Sequence, residues 1–355
     1  MKLRNTIVAL AFSLISGVIA SNVAEAKTFK VGYNIYVSFM PFQYMKDHGI
    51  LKKWADKYGV DIDVLQINDY VAGMNQFVAG DLDAMTGNPM DAMTTPAAGG
   101  VDTSFALSIG YSNGNDGMIS KDLKSVKDLK GQTVYLYELT ISHYLLSRAL
   151  SLNGLSLRDV KTVNVSDTDI GPGWMTSDKI KTAVSWNPML LQMERGVAGT
   201  TRLFDSSNIP GEIADGMFFH TETLKSDPNF MKALTGAWYE TMAIMEKGDP
   251  ASDKMIAELA STAGSTVEEY RSQLKSTRLF YKPKESADFF QSETLVNTLD
   301  FIRTFSFDNG LFGQSAKDKD FIGIEAANGK VLGKPDNIKL RMNDSFVKMA
   351  ADGKL

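Results

Sequence analysis

No cysteine occurs in the 355 residues, which excludes disulfides, thiolate metal sites, a cysteine nucleophile and a lipid-modified N-terminal cysteine. Histidine is scarce: His48, His143 and His220 stand far apart, so no metal-ligand spacing can be recognised. Ser142 and His143 are neighbours, and on a helix they point about 100° apart, which does not build a nucleophile–base pair. No Walker loop, dinucleotide fingerprint or Gly-x-Ser-x-Gly elbow is present. A basic excess is also missing. Lys+Arg number 37 against 42 Asp+Glu, for a formal charge of -5, which argues against nucleic acid or an anionic membrane as partner. Long apolar runs are lacking too, since Ile7 to Ala20 is short of the roughly 20 residues that span a bilayer.

That apolar run reads instead as the core of an export leader. Lys2 and Arg4 precede it, and Ala24-Glu25-Ala26 supplies the small-x-small cleavage pattern, so residues 1–26 are expected to be a cleavable signal peptide and Lys27 the mature start. The expected compartment is the periplasm, with a soluble chain that is not lipid-anchored and is held together by packing alone. The length suggests about two domains. No low-complexity linker or internal repeat separates them.

From Thr28 onward short β-rich runs alternate with helical segments, the pattern of a parallel sheet covered by helices. Strands are predicted at Phe29–Tyr33, Asp61–Ile67, Leu82–Thr86 and Phe105–Ile109. Tyr70–Ala79 is predicted helical, and Asn88-Pro89 reads as an N-cap followed by proline at the first helical position. Ser112 to Gly117 reads as a turn-rich crossing. The same grammar restarts with strands at Thr133–Leu136, Thr162–Val165 and Thr182–Ser185 and a helix at Ser142–Leu152. After a β-like run at Gly216–Phe219 the chain reads as almost wholly helical and is expected to pack back on the first unit. Ligands of open α/β sheets bind at the carboxyl ends of strands, here a cleft able to close by hinge bending.

Asp83-Ala84-Met85-Thr86-Gly87-Asn88-Pro89-Met90-Asp91-Ala92, Ser112-Asn113-Gly114-Asn115-Asp116-Gly117, Ser142-His143-Tyr144-Leu145-Leu146 and Trp186-Asn187-Pro188 carry a family resemblance. With the arrangement of the whole mature chain, they resemble periplasmic substrate-binding proteins of ABC importers, in the branch of nitrate, taurine, alkanesulfonate and thiamine-precursor binders. The subgroup most resembled is the one associated with urea-carboxylase genes, thought to handle urea or guanidine. The resemblance implies an α/β, two-lobed type II periplasmic-binding-protein fold. Each lobe is a mostly parallel sheet flanked by helices, with residues 27–112 and 213–355 in lobe 1 and 113–212 in lobe 2. It also implies a membrane permease and its ATPase as partners. One departure is Gly171-Pro172-Gly173-Trp174, where apolar helix formers are expected; it suggests that this helix starts later and that Trp174 approaches the ligand.

Helix N-termini facing such a cleft attract anions by default. This chain instead places Asp91, Asp116, Glu138, Asp167 and Asp169 at the loop tips, with no Lys or Arg among them. An anion there would face several poorly solvated carboxylates, at a cost of a few kcal/mol or more. The expected ligand is therefore a cation or an N–H donor. Aromatics occupy the same places: Tyr33, Tyr36, Tyr111, Tyr137, Trp174 and Trp186. A guanidinium stacks on such faces while its edge pairs with carboxylates.

Plainer roles compete with these. Asp167 or Asp169 can be a helix cap, Asp91 a first-turn acid, and any one aromatic a packing residue. The expected ligand set is Glu138 as principal charge partner, with Asp116, Asp167, Asp169, Asp91, Asn88, Tyr33 and Trp186. No cofactor, metal or catalytic residue is expected in what reads as a monomer. Guanidinium leads, followed by urea or another small amide or amidine, a thiamine-type pyrimidine, and then sulfonate or nitrate. A hydrolase using paired carboxylates is the remote alternative.

Overall fold

The computed structural model describes residues 27–355, so the leader expected at 1–26 lies outside the described residues. Four strands open the chain: β1 (Thr28–Tyr33), β2 (Asp61–Gln66), β3 (Ala84–Gly87) and β4 (Thr103–Ser112). Five more build a separate sheet: β5 (Asp116–Ser120), β6 (Thr133–Leu136), β7 (Lys161–Asn164), β8 (Thr182–Trp186) and β9 (Thr201–Asp205). The chain then returns through β10 (Ala214–His220), β11 (Thr277–Leu279), β12 (Gly323–Glu325), β13 (Val331–Gly333) and β14 (Ile338–Met342).

The larger sheet runs β13-β12-β14-β4-β10-β3-β1-β2, with β11 on β4, and the smaller β7-β6-β8-β5-β9. Both are mixed rather than mostly parallel. The strands at the two crossings account for part of this: β10 enters antiparallel between β3 and β4, and β5 antiparallel between β8 and β9. The C-terminal part is less helical than its sequence suggests, because β11 to β14 extend the larger sheet. Three of these strands are only three residues long, too short for an alternating pattern to be read. Likewise the turn-rich crossing is confined to residues 113–115, with strands entering and leaving it.

Local chemistry explains the helices that matter to the site. The Asp69 carboxylate accepts from the Ala72 amide, starting the helix Tyr70–Ala79, and Gly80 ends it at a φ of 83° that glycine adopts without strain. Asn88 accepts from the Asp91 amide and Pro89 follows, starting the short helix Pro89–Ala92 as predicted. The departure at Gly171 does not delay its helix, which runs Asp167–Thr176 with Pro172 inside it. Trp174 turns away from the cleft. Fully buried, it donates its indole N–H to the Met193 carbonyl within the smaller half's core.

Behind the larger sheet, helix Pro228–Glu246 packs on helices Pro41–Asp47 and Ile50–Tyr58. Phe42 stacks on Trp238 at 4.8 Å between ring centroids.

Candidate functional site

Parallel strands β1 and β3 end at Tyr33 and Gly87, and in the other sheet β8 ends at Trp186. Because β5 and β10 run antiparallel to their neighbours, it is their starts that reach the same level. Asp116 pairs in register with Trp186, and Asp215 with Gly110 near the end of β4. A register irregularity follows Asp215. Such irregularities locally bend a strand and re-aim a side chain.

These strand ends enclose a cavity of about 40 Å³, whose lining includes Tyr36, Tyr70, Asn88, Asp116, Trp186 and Asp215. A water molecule needs roughly 10–15 Å³ measured this way, so the space suits a solute of a few heavy atoms. Phe39 and Ile213 complete much of the apolar wall, and Asn34 and Thr140 add neutral polar groups. No lysine, arginine or histidine lines it.

Two carboxylates line this cavity and a third lies behind it, all three shielded from solvent. Asp91 is fully buried, and Asp116 and Asp215 are each 4% exposed. Asp91 Oδ2 accepts from the Tyr70 hydroxyl at 2.8 Å and from the Asn88 amide, while its Oδ1 is buried with no donor. Asp116 Oδ2 lies 3.3 Å from the Tyr36 hydroxyl, which donates to it from the other half of the molecule. Asp215 Oδ2 accepts from Ser38 Oγ at 3.0 Å.

Burial is the main cause of the resulting pKa pattern. It pushes Asp91 up to about 7 and Asp116 up to about 6, against hydroxyl and amide donors that pull the other way. Asp215 is pushed well above the usual carboxylate range, first by burial and then by the Asp116 charge. The hydroxyls of Tyr36 and Tyr70 are held protonated by burial and by the neighbouring carboxylates, so they act as donors. Among the described residues, no group of three or more such side chains is placed to hold a metal ion.

Glycine is required at one wall. A Cβ on Gly87 would meet the Tyr70 hydroxyl and the Phe218 ring, displacing the donor that Asp91 uses. Tyr70 also meets Trp186 edge-on, at 6.4 Å and 72°, which joins the two halves over the cavity.

A second space of about 560 Å³ lies outside, sharing Asn34 and Trp186 with the inner cavity and lined also by Asp167, Pro172, Met189 and Gln192. Asp167 is 6% exposed, and its Oδ2 accepts from the Tyr70 backbone N–H across the halves at 3.3 Å.

Of the residues expected from sequence, Asn88, Asp116 and Trp186 line the inner cavity and Asp91 backs it; Asp167 lines the outer groove. Three lie elsewhere. Glu138 lines neither space: it is partly exposed, and its backbone N–H donates to Asn164 Oδ1 at 2.9 Å. Asp169 is exposed and accepts from Ser166 Oγ at 2.8 Å, a first-turn helix contact. Tyr33 is buried against the neighbouring helix, its hydroxyl 3.1 Å from the side-chain oxygens of Gln43 and Gln66. These side chains follow a strand's last residues but do not face the cleft. Asp215, Tyr70, Phe39 and Asn34 were not expected there. The one available signal for Asp215 was a lone acid at the head of the apolar run Met217-Phe218-Phe219.

Solved structures share the fold. An alkanesulfonate-binding protein, SsuA of Xanthomonas axonopodis pv. citri, superposes with a TM-score of 0.67 at 15% identity, covering 82% of this chain and 96% of that one. The aliphatic sulphonate-binding SsuA of Escherichia coli gives 0.62 at 19% identity, covering 80% and 88%. The periplasmic nitrate-binding NrtA of Synechocystis PCC 6803 gives 0.57 at 13%, covering 93% and 99%. The architecture is thus the α/β type II periplasmic-binding-protein fold, with two mixed sheets flanked by helices.

Curated proteins of Brucella abortus and Brucella suis, named as binding proteins, are 26% identical over 182 residues, which is 50% of this chain and 56% of theirs. The chain spans about half the length of the curated relatives it matches. All five of these proteins are named for binding, none for catalysis. No helix among the described residues is long and apolar enough to cross a membrane. The model of the family described as NMT1/THI5 like matches residues 50–250, and the chain belongs to that family.

Proposed function

We propose that this chain is the extracytoplasmic solute-binding component of an ABC importer and that its solute is a small planar cation, guanidinium. On this reading residues 27–112 and 213–355 act as one lobe and 113–212 as the other. A permease and its ATPase receive the solute. The observation that carries the choice of ligand is the pair Asp116 and Asp215 on the lining of a small cavity that has no basic side chain, with Asp91 buried behind Tyr70 and Asn88 of the same lining.

Ionised carboxylates buried together destabilise one another unless a cation joins them. A guanidinium supplies that charge, directs N–H groups outward in one plane, and presents a face to Trp186 and Tyr36. Each aromatic contact of this kind contributes roughly 0.5–2 kcal/mol. The sulfonate and nitrate bound by the named structural neighbours would meet the carboxylates with the wrong sign. A thiamine-type pyrimidine is too large for about 40 Å³. Urea is the second reading, favoured by the neutral groups of Asn34, Asn88 and Thr140 on the same lining. The likeness to the urea-carboxylase subgroup belongs with these two readings.

Isothermal titration of the chain from Lys27 against guanidinium, urea, taurine and nitrate at pH 8 tests the reading. Saturable binding of guanidinium alone is expected, with a melting shift equivalent to about 2.7 kcal/mol at 100 times the dissociation constant. Preferential binding of taurine or nitrate would overturn the choice of ligand, and turnover of any candidate would overturn the binding role.

A further inference from the structure

The hydroxyl protons at the inner cavity are all committed to the protein. Tyr36, Tyr70 and Thr140 are the hydroxyl side chains on its lining. Tyr36 donates to Asp116 Oδ2 at 3.3 Å, Tyr70 to Asp91 Oδ2 at 2.8 Å, and Thr140 to the Tyr137 carbonyl at 2.8 Å. A hydroxyl has one proton and two lone pairs, so each of these can only accept from a solute while that bond lasts. The side-chain N–H groups on the lining belong to Asn34, Asn88 and Trp186, and Asn88 gives one of its own to Asp91.

Tyr70 owes this to a carboxylate behind the lining. Asp91 is fully buried, and among the described residues the donors to its carboxylate are two lining side chains, Tyr70 and Asn88, both on Oδ2; Oδ1 has none. The short helix at Pro89 is capped by Asn88, whose Oδ1 accepts from the Asp91 backbone N–H, so capping does not call for this side chain. A buried carboxylate with one oxygen unpaired is costly, and what it does here is take a proton from each of two groups that face the cavity. Gly87 lets the Tyr70 ring come close, since a Cβ there would meet the Tyr70 hydroxyl. Burial, then the Asp91 charge, keeps that hydroxyl protonated, against the Asn88 backbone N–H, which pulls the other way.

We propose that Asp91 is a positioning residue: it draws the Tyr70 proton out of the cavity, so that Tyr70 offers a lone pair to a solute N–H and no donor to a solute oxygen. Tyr70 thereby becomes a determinant of specificity between two planar solutes of nearly equal size. Guanidinium has N–H groups on all three arms and no acceptor, whereas one arm of urea is a carbonyl that needs a donor. A buried carbonyl left without one loses the hydrogen bonds it had in water. This assignment rests on the guanidinium reading of the same cavity, and it gives the choice over urea to a residue that the solute does not touch.

The test is calorimetry with urea and guanidinium at pH 8 on the wild-type chain, Asp91→Leu, Tyr70→Phe and the double variant. Asp91→Leu is close to the same size and has no acceptor, which frees the Tyr70 proton for the cavity. Urea is neutral, so its affinity reads the direction of that proton rather than the loss of charge. Asp91→Leu should tighten urea at least tenfold, and in the Tyr70→Phe background the same change should move it less than threefold. Unchanged urea affinity in Asp91→Leu, or an equal gain without the Tyr70 hydroxyl, overturns the positioning role. Proton NMR of the ligand-free chain gives a readout that needs no solute. A slowly exchanging phenolic proton at low field, assigned by its loss in Tyr70→Phe, should be present in the wild type and absent in Asp91→Leu. Its absence from the wild type, or its persistence in Asp91→Leu, overturns the role as well. Failure of the wild type to bind guanidinium, with the urea gain and the NMR signal both observed, would instead overturn the guanidinium reading and leave Asp91 in its role.

Discussion

Two acidic clusters flank β5, and they are neutralised in opposite ways. On one side Arg202 on β9 donates two hydrogen bonds to Glu194, one of 2.7 Å from Nε, and pairs with Asp205 at 3.4 Å. On the other side Asp91, Asp116 and Asp215 meet with only hydroxyl and amide donors. The clusters are close enough for the Asp205 charge to raise the Asp116 pKa. The first cluster therefore contains its own guanidinium, supplied by the chain. The second has the carboxylates for one and no residue to provide it. Arginine pairs with carboxylates at Arg148–Glu212 and Arg303–Asp300 as well, whereas no basic side chain lines the cavity at Asp116 and Asp215.

The largest expected effect comes from removing a charge on the unpaired side. Asp215→Asn keeps the shape and an acceptor for Ser38, and should weaken guanidinium at least a hundredfold by calorimetry, about 2.8 kcal/mol. The same variant should raise the melting temperature of the ligand-free protein at pH 8, since a buried carboxylate without a cation is gone. Unchanged affinity would place the ligand elsewhere. Arg202→Met makes the paired side resemble the unpaired one. Breaking a fully buried pair costs about 3–5 kcal/mol, but the Arg202 side chain is 28% exposed, so a loss of about 2 kcal/mol in denaturant unfolding is expected. Guanidinium affinity should move less than fivefold.

Acidity sharpens the contrast further. Asp91 and Asp116 have pKa values raised from the usual 3.8 to about 7 and about 6. For a raised pKa the contribution to stability is full below the unfolded value and is lost as pH rises through the folded one. These groups should therefore make the ligand-free protein less stable at pH 8 than at pH 5, read as a fall in melting temperature. Guanidinium keeps its charge throughout and needs the ionised carboxylates, so its affinity should rise about tenfold between pH 5.5 and pH 8. Urea, being neutral, should show no such rise. A flat guanidinium profile would remove the carboxylates from the contact.

How much of this was legible depended on whether a residue's task is local. Asn88 declared itself through Asn-Pro, and Tyr70–Ala79 through the aspartate before it and the glycine after it, because caps act within one turn. Asp116 and Trp186 were legible as residues at strand ends. Tyr33 was misread by the same rule, since successive side chains leave a strand on opposite faces and the sequence does not say which faces the cleft. Asp215 was invisible for another reason. It reaches the cavity through an antiparallel strand entered more than a hundred residues after Asp91, and through a register irregularity that no local pattern encodes.

Glu138 marks the limit of reading charge from loop position, and it carries the smallest predicted effect. It lies two residues after β6 and precedes the helix Ile141–Leu152, the same setting that made it the foremost expectation. The helix start is served by Thr140, whose Oγ1 accepts from the Ser142 amide, so no capping duty draws Glu138 inward. Its neighbour Leu139 adopts a left-handed φ of 65° and is 56% exposed, so this turn faces solvent while Thr140 and Ile141 behind it line the cavity. A carboxylate in water contributes little to a site a few residues away, because solvent and salt screen it. Glu138→Gln should therefore change guanidinium affinity less than twofold, below about 0.4 kcal/mol, at low and at physiological salt. A tenfold loss would mean that the turn folds inward when the cleft holds its ligand, and Glu138 would then join Asp116 and Asp215 as a charge partner.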